Sequence, residues 1–193
     1  MAKKEETSTE PETDEQGLVI HKYASTVLVV VPAKDYAETT LRYAMSSLFN
    51  VHVGVWSVSA DDETLLQGEL QDEFQVQGKL SDARMDDYSG VLFCGGPGAL
   101  AMADQPDAQR LAREAVAQDK LIGAWGQGTA VLAKAGILAK RKVTGDPALR
   151  EMLEGAGARF TGTQLQKDGK LVTAYDDAAG LRFGKALVEI VRI

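Results

Sequence analysis

Short apolar runs alternate with amphipathic helical segments along most of this chain, and this alternation is the feature that most limits its possible folds. The first run, 26–31 (Thr-Val-Leu-Val-Val-Val), is apolar almost throughout, as in a strand buried on both faces. A helical stripe follows over 38–49. In a second predicted strand, Val51, Val53 and Val55 alternate with other residues. The pattern predicts an α/β protein built around a mostly parallel sheet with helices on both faces.

The rest of the chain continues this pattern. The predicted elements are strands at 91–94 and 121–124, helices over 107–118, 131–135, 147–155 and 183–191, and a hairpin over 163–174 that turns at Asp168-Gly169. Residues 59–80 are polar and predict irregular structure with one strand near 74–77. The helix after Pro147 is expected to bury Leu149, Met152 and Leu153. The predicted fold is flavodoxin-like (Rossmann-like), a doubly wound sheet with a β-hairpin near the C-terminus.

Charge is distributed unevenly along the chain. The 193 residues carry a net charge of -7, and residues 3–16 hold two lysines and six acids. That segment has no hydrophobic periodicity, so we expect 1–23 to form a disordered acidic tail and 24–193 to form a single domain. The tail fits either of two roles, a solubilising leader or a segment that binds a protein partner.

Composition excludes several classes of function. An acidic chain lacks the basic surface that nucleic-acid binding requires, and no apolar run reaches the length of a membrane helix. The N-terminus has no signal-peptide core and the single Cys94 cannot form an internal disulfide, so we expect a cytoplasmic protein. No cofactor or metal is predicted, because two separated histidines and one cysteine do not make a ligand cluster.

Residues 123–129 read Gly-Ala-Trp-Gly-Gln-Gly-Thr at a predicted strand-to-helix turn. This is the layout of a nucleophile elbow, in which a sharp turn exposes one side chain above the sheet. The elbow position is Gly126, which has no side chain to attack with. Ligands of such sheets bind at the carboxyl ends of the strands, so the loops after Val31, Cys94 and Ala124 are the candidate site.

Three segments together resemble the ThiJ/PfpI superfamily, whose fold is class I glutamine amidotransferase-like. They are an acidic loop at 35–39 after the first strand, the strand and glycine loop at 91–98, and the elbow at 122–128. Behind the elbow, 132–138 (Leu-Ala-Lys-Ala-Gly-Ile-Leu) and 142–144 (Lys-Val-Thr) also fit the superfamily pattern. The resemblance covers residues 25–192 and implies a homodimer.

The resemblance also implies where the functional residues should lie. The position of the nucleophilic cysteine falls on Gly126, and that of the acid that hydrogen-bonds the cysteine sulfur falls on Glu38. The amide that helps hold an oxyanion belongs to Gly96 in the Gly95-Gly96 loop. A histidine found after the cysteine in some members falls on Gln127, and one found before a proline falls on Asp146.

The departures from the superfamily pattern decide the functional hypothesis. Glycine cannot attack a substrate, and the carboxamide of Gln127 cannot act as a general base. Of the two histidines, His21 lies beside the tail and His52 is predicted inside a strand, where a structural role is expected. The sequence therefore predicts a catalytically inactive protein, a pseudoenzyme with a binding, scaffolding or regulatory role.

Alternatives stay open at this point. The chain could be a hydrolase, lyase or glyoxalase-type enzyme that uses Glu38 with bound water, or Cys94 as a relocated thiol. Glu38 itself fits either an acid that bonds a small ligand or a structural acid that bonds the elbow amides. Trp125, one residue before the elbow, is expected to pack in the core or at a subunit interface.

Overall fold

The computed structural model describes residue 23 and residues 25–60 and 64–191. The acidic tail predicted over 1–23, which includes His21, thus lies outside the described residues apart from Tyr23. Within the described ranges, no helix has the length and apolar character needed to cross a membrane.

The described residues form twelve strands and six α-helices. The strands are β1 (Ser25–Val30), β2 (Lys34–Tyr36), β3 (Val53–Ser59), β4 (Leu65–Gly68), β5 (Glu73–Gln75), β6 (Gly78–Lys79), β7 (Gly90–Phe93), β8 (Leu121–Trp125), β9 (Lys142–Val143), β10 (Arg159–Phe160), β11 (Leu165–Asp168) and β12 (Leu171–Ala174). The helices are α1 (Glu38–Phe49), α2 (Ala99–Ala103), α3 (Pro106–Ala117), α4 (Thr129–Lys134), α5 (Arg150–Gly155) and α6 (Gly180–Val191).

A seven-stranded sheet in the order β11-β12-β8-β7-β1-β3-β6 forms the centre of the fold. All neighbouring pairs are parallel except β11 and β12, which form the antiparallel hairpin predicted near the C-terminus. The chain winds outward from β1 in both directions, so the strand order reverses between β1 and β7. This is the flavodoxin-like order with its switch point at that pair, and it confirms the predicted fold class.

Two apolar layers cover the sheet. On one face, α1 and α6 bury residues such as Leu41, Leu48 and Phe183, and on the other face α2 to α5 bury residues such as Leu111 and Val131. Residues 26–31 are apolar at nearly every position because β1 contacts both layers. The helices predicted at 38–49 and 107–118 are confirmed to within a residue.

Local structure differs from the sequence prediction in the segment after α1. His52 does not lie inside a strand: it is exposed in the turn before β3 and has a left-handed φ of 59°. Residues 59–80, predicted as irregular with one strand, contain β4, β5 and β6. Strands β2, β4 and β5 form a separate three-stranded sheet.

The helices differ from the sequence prediction at two further points. The glycine loop after β7 leads into α2, a helix of five residues that the sequence analysis did not predict. Met152, predicted to be buried, is 39% exposed, while Leu149 and Leu153 are buried as expected. Helix α5 is short, and of its adjacent positions 152 faces solvent while 153 faces the core.

Candidate functional site

The loops after β1 and β7 meet at the switch point of the sheet. The Ala37 amide donates to the Gly95 carbonyl at 2.9 Å, and the Gly98 amide donates to the Asp35 carbonyl at 3.3 Å. These bonds fix the glycine loop against the start of α1. The first two predicted site loops are therefore in direct contact.

The turn after β8 has the geometry of an elbow. Gly126 adopts φ +52°, a left-handed conformation that L side chains rarely occupy. Its carbonyl accepts from the Thr129 hydroxyl at 2.7 Å and from the Asp146 amide at 3.4 Å. A Cβ atom placed on Gly126 would meet no other atom within 4 Å. The turn thus leaves open space at the position where a nucleophile would project.

A cavity of about 380 Å³ lies over this turn, and we call it the elbow cavity. It is lined by Ala37, Glu69, Gly96, Pro97, Trp125, Gly126, Gln127, Asp146, Pro147, Tyr175, Asp176 and Asp177. Four of the predicted site residues share this lining, namely Gly96, Gly126, Gln127 and Asp146. Glu38, Gly95 and Cys94 do not line it.

Gln127 and Asp146 form the polar pair of the elbow cavity. The Gln127 Nε2 donates to Asp146 Oδ2 at 3.1 Å, and Asp146 Oδ1 accepts from the Ala148 amide at 2.9 Å. An ionised carboxylate only accepts hydrogen bonds, so the amide nitrogen of Gln127 must face it. The Gln127 Oε1 is then buried without a donor among the described residues.

Asp177 caps helix α1 from far away in the sequence. Its Oδ2 accepts from the Thr39 amide at 2.9 Å and its Oδ1 accepts from the Thr40 amide at 2.7 Å. The Thr40 hydroxyl also donates to the Asp177 carbonyl at 2.9 Å. The only local signal for Asp177 in the sequence is the Asp176-Asp177 pair before the last helix, which does not indicate a cap for α1.

The charged side chains that line the elbow cavity are all acidic among the described residues. Glu69, Asp146, Asp176 and Asp177 contribute carboxylates, and no described lysine, arginine or histidine lies in the lining. None of these four forms an ion pair with a described residue. Over the described ranges, no group of three or more histidine, cysteine or acidic side chains is spaced to hold a metal ion.

Glu38 is buried, with 2% of its surface exposed, but its carboxylate contacts a different loop. Its Oε1 accepts from the Leu70 amide at 2.6 Å. The carboxyl group also lies so close to Gly68 that a Cβ there would approach Oε1 to 2.1 Å. Glu38 thus bonds the loop after β4, whereas the elbow amides were one of the two partners expected from the sequence.

Cys94, the only thiol, is fully buried at the end of β7. Its Sγ lies 3.6 Å from the Ala37 carbonyl, to which the thiol donates. Burial raises the pKa of this thiol well above its ordinary value, and the nearby carboxylate of Asp177 adds to the shift. Both effects disfavour the thiolate, which is the nucleophilic form.

Trp125 lies in the core, which is one of the two locations predicted for it. The side chain is fully buried and its ring packs edge-on against Phe183 with centroids 5.3 Å apart. The indole nitrogen lies beside Gly95 and has no acceptor among the described residues. Trp125 and Gln127 thus each carry one buried polar atom without a partner among the described residues.

Comparison with known proteins agrees with the fold described above. The profile of the DJ-1/PfpI family matches residues 25–190. An uncharacterized protein of Methanocaldococcus jannaschii is 27% identical over 168 residues, which cover 86% of this chain and 82% of that protein.

Solved structures of the same fold include two close matches in shape. The ThiJ/PfpI domain protein of Brachyspira murdochii has a TM-score of 0.84 at 20% identity, covering 89% of this chain and 98% of the other. Drosophila melanogaster DJ-1beta has a TM-score of 0.77 at 21% identity, covering 86% and 90%. The chain belongs to the DJ-1/PfpI family, as the ThiJ/PfpI resemblance of its sequence implied.

Proposed function

We propose that this chain is a catalytically inactive member of the DJ-1/PfpI family that acts by binding rather than by covalent catalysis. The observation that carries the proposal is Gly126, a residue without a side chain at an elbow with open space above it. A scaffold of this kind keeps a shaped cavity at the switch point of the sheet. A binding, scaffolding or regulatory role needs that cavity but not a nucleophile.

The residues that could replace the nucleophile are poorly placed for catalysis. Cys94 is sealed in the core with its thiol held protonated, so it has neither access to a substrate nor the reactive form. Glu38 is bonded to the Leu70 amide and does not line the elbow cavity. These contacts favour inactivity over the alternative of a hydrolase, lyase or glyoxalase-type enzyme.

Other parts of the proposal concern assembly and location. We propose a homodimer, as family membership implies, and the outward side of α1 with the nearby loop exposes Tyr43, Phe49 and Leu70 for such a contact. The acidic segment 1–23 is proposed to bind a protein partner or to act as a solubilising leader. A cytoplasmic location, no nucleic acid and no cofactor complete the proposal on compositional grounds.

Turnover assays test the proposal directly. The purified full chain should show no glyoxalase, deglycase or peptidase activity above the rate in buffer alone. The variants Glu38→Gln and Cys94→Ala serve as controls, and neither should change the background rate. Turnover that one of these variants abolishes would contradict the proposal and would assign the chemistry to that residue.

A further inference from the structure

Strand β3 has an open outer edge over most of its length. Its inner edge pairs with β1 from Val53 to Val58. On the outer side, β6 pairs only with Val58 and Ser59. Among the described residues, no strand therefore lies beside 53–57 on that side. Such an edge is a template for pairing with another strand, and proteins normally cover or block it.

The bonds of Ser57 show which backbone groups of this edge are unpaired. The Ser57 amide donates to the Gln77 Oε1 at 2.7 Å, and the Ser57 carbonyl accepts from the Gln77 amide at 2.9 Å. Backbone groups of alternate residues point to the same side of a strand, so those of Val53 and Val55 also point outward. Neither valine has a hydrogen-bond partner on that side among the described residues. The edge thus offers two amides and two carbonyls to an added strand.

The contacts of Tyr23 show that the chain reaches β1 from the side of β3. The Tyr23 ring lies over Gly54 in β3, where an added Cβ atom would come within 2.8 Å of the ring Cδ2. The ring also packs against that of Phe49, with centroids 6.0 Å apart. Tyr23, Phe49 and Trp56 are each at least 40% exposed. The segment that precedes Tyr23 therefore begins at the open edge, beside apolar surface that the described residues leave exposed.

The sequence just before Tyr23 suits an edge of this kind. Residues 18–20 (Leu-Val-Ile) form an apolar run in which two of the three side chains are β-branched. Met1 and Ala2 are the other hydrophobic residues of 1–22. Leu18 lies five residues before Tyr23, so an extended chain carries it up to about 17 Å away, while the open edge over 53–57 spans about 13 Å. The apolar run can therefore lie along the open edge.

We propose that residues 18–22 of this chain form an added strand, antiparallel to β3, along its open outer edge. The segment leads to Tyr23 near the start of β3, after which β1 runs parallel to β3, so the added strand has the opposite direction. Its backbone bonds the outward groups of Val53 and Val55, and its apolar side chains cover Trp56. The disordered part of the tail then ends before residue 18. The proposal goes beyond the proposed function and does not depend on it.

The acids of the tail add a reason for this arrangement. Residues 3–16 hold six acids and two lysines and come directly before the proposed strand. The added strand would hold this charge beside the edge of the sheet. Charged residues at a sheet edge oppose pairing with a further chain. The apolar run and the acids would thus protect the edge together.

Amide hydrogen exchange at Val55, followed by NMR in the full chain, tests the proposal. Leu18→Asp combined with Ile20→Asp removes the apolar run, and exchange at Val55 should become faster by about tenfold or more. Thr7→Asp combined with Thr9→Asp is the matched control, since it places two aspartates at the same spacing in the acidic part of the tail. The control should leave the exchange unchanged. Equal exchange in the wild type and the Leu18/Ile20 variant would overturn the proposal.

A spin label separates this arrangement from contact with a second copy. A nitroxide on Gln16→Cys, in a Cys94→Ala background, should broaden the amide signals of Val55 and Trp56. It should not broaden that of Lys167 in β11, at the opposite edge of the sheet. In a mixture of spin-labelled chain with ¹⁵N chain that carries no spin label, we expect no broadening. Broadening in the mixture, which would assign the edge to a second copy, or none in the spin-labelled chain itself would overturn the proposal.

Discussion

At the scale of single residues, two glycines of the elbow are required for different reasons. Gly126 is needed for its left-handed φ of +52°, while a Cβ there would meet open space. Gly128 has an ordinary φ of -59°, but a Cβ there would lie 2.5 Å from the Phe93 carbonyl oxygen. The first glycine relieves backbone strain and the second permits close packing of the turn against β7.

Alanine substitutions should separate these two roles. Gly126→Ala should lower the free energy of unfolding by about 1 kcal/mol, the usual cost of a left-handed L residue. Gly128→Ala should cost more, about 2–3 kcal/mol, because β7 must shift to accommodate the methyl group. Urea denaturation of both variants measures the difference. Equal losses would contradict the assignment of different roles to the two glycines.

The buried thiol of Cys94 should make stability depend on alkaline pH. Burial raises the pKa of Cys94 in the folded state above the ordinary value of 9.0, whereas the unfolded chain titrates near that value. The contribution of the Cys94 thiol to the free energy of unfolding is fully present below pH 9. It is lost at higher pH, because the unfolded state then releases a proton that the folded state keeps. The free energy of unfolding should therefore fall as the pH rises above 9.

Cys94→Ala provides the control for this pH dependence. The variant should show a flatter decline just above pH 9, with the remaining decline at higher pH due to groups such as Tyr36, whose pKa burial raises to about 12. Urea denaturation at several pH values gives both curves. Identical slopes for the wild type and Cys94→Ala would contradict the assigned burial of the thiol.

At the scale of elements, helix α1 depends on a cap that lies outside its own segment. The N-cap residue Ala37 has no side chain that can accept a hydrogen bond, and the Asp177 carboxylate supplies both acceptors. Asp177→Ala should lower the free energy of unfolding by about 1–2 kcal/mol, in the range of a lost N-cap. Asp177→Asn, which keeps one acceptor, should lose less. A loss below the error of denaturation for Asp177→Ala would contradict the capping role.

The elements that the sequence predicted correctly are those with a strong local signal. The strand predicted at 26–31, observed as β1 (Ser25–Val30), is apolar at nearly every position because it is covered on both faces. The hairpin turn at Asp168-Gly169 is a short-range signal. His52 was wrongly predicted to lie inside a strand because the valine alternation around it continues through the turn before β3. The left-handed φ of His52 forms that turn. Strand β4 was missed because its four residues, Leu-Leu-Gln-Gly, do not alternate between apolar and polar types, although they are exposed and buried in turn.

The candidate site could be predicted only in part, because part of it depends on contacts between distant segments of the chain. Gly96, Gly126, Gln127 and Asp146 share the elbow cavity, and each follows or precedes an element that the sequence revealed. Asp177 could not be found, because its bonds to α1 join residues 137 and 138 positions apart in the chain. Contacts of such range depend on how α6 packs beside α1, which no local pattern encodes.

At the scale of the whole molecule, the open elbow and the only thiol of the chain are kept apart. The fold keeps an open elbow and a shaped cavity at the switch point of its sheet, and the only thiol of the chain is sealed away from that cavity. Covalent chemistry needs a reactive group in the open position. Binding needs only the cavity and the polar groups in its wall.

Iodoacetamide labelling of the native protein, with the labelled thiols counted by intact mass, tests whether Cys94 is buried and position 126 is open. The wild type should take up no label in buffer and one label after unfolding, because Cys94 is buried. Gly126→Cys in a Cys94→Ala background should take up one label without unfolding, because a side chain there projects into open space. Native labelling of wild-type Cys94 at a comparable rate, or an unreactive Gly126→Cys variant, would contradict the account.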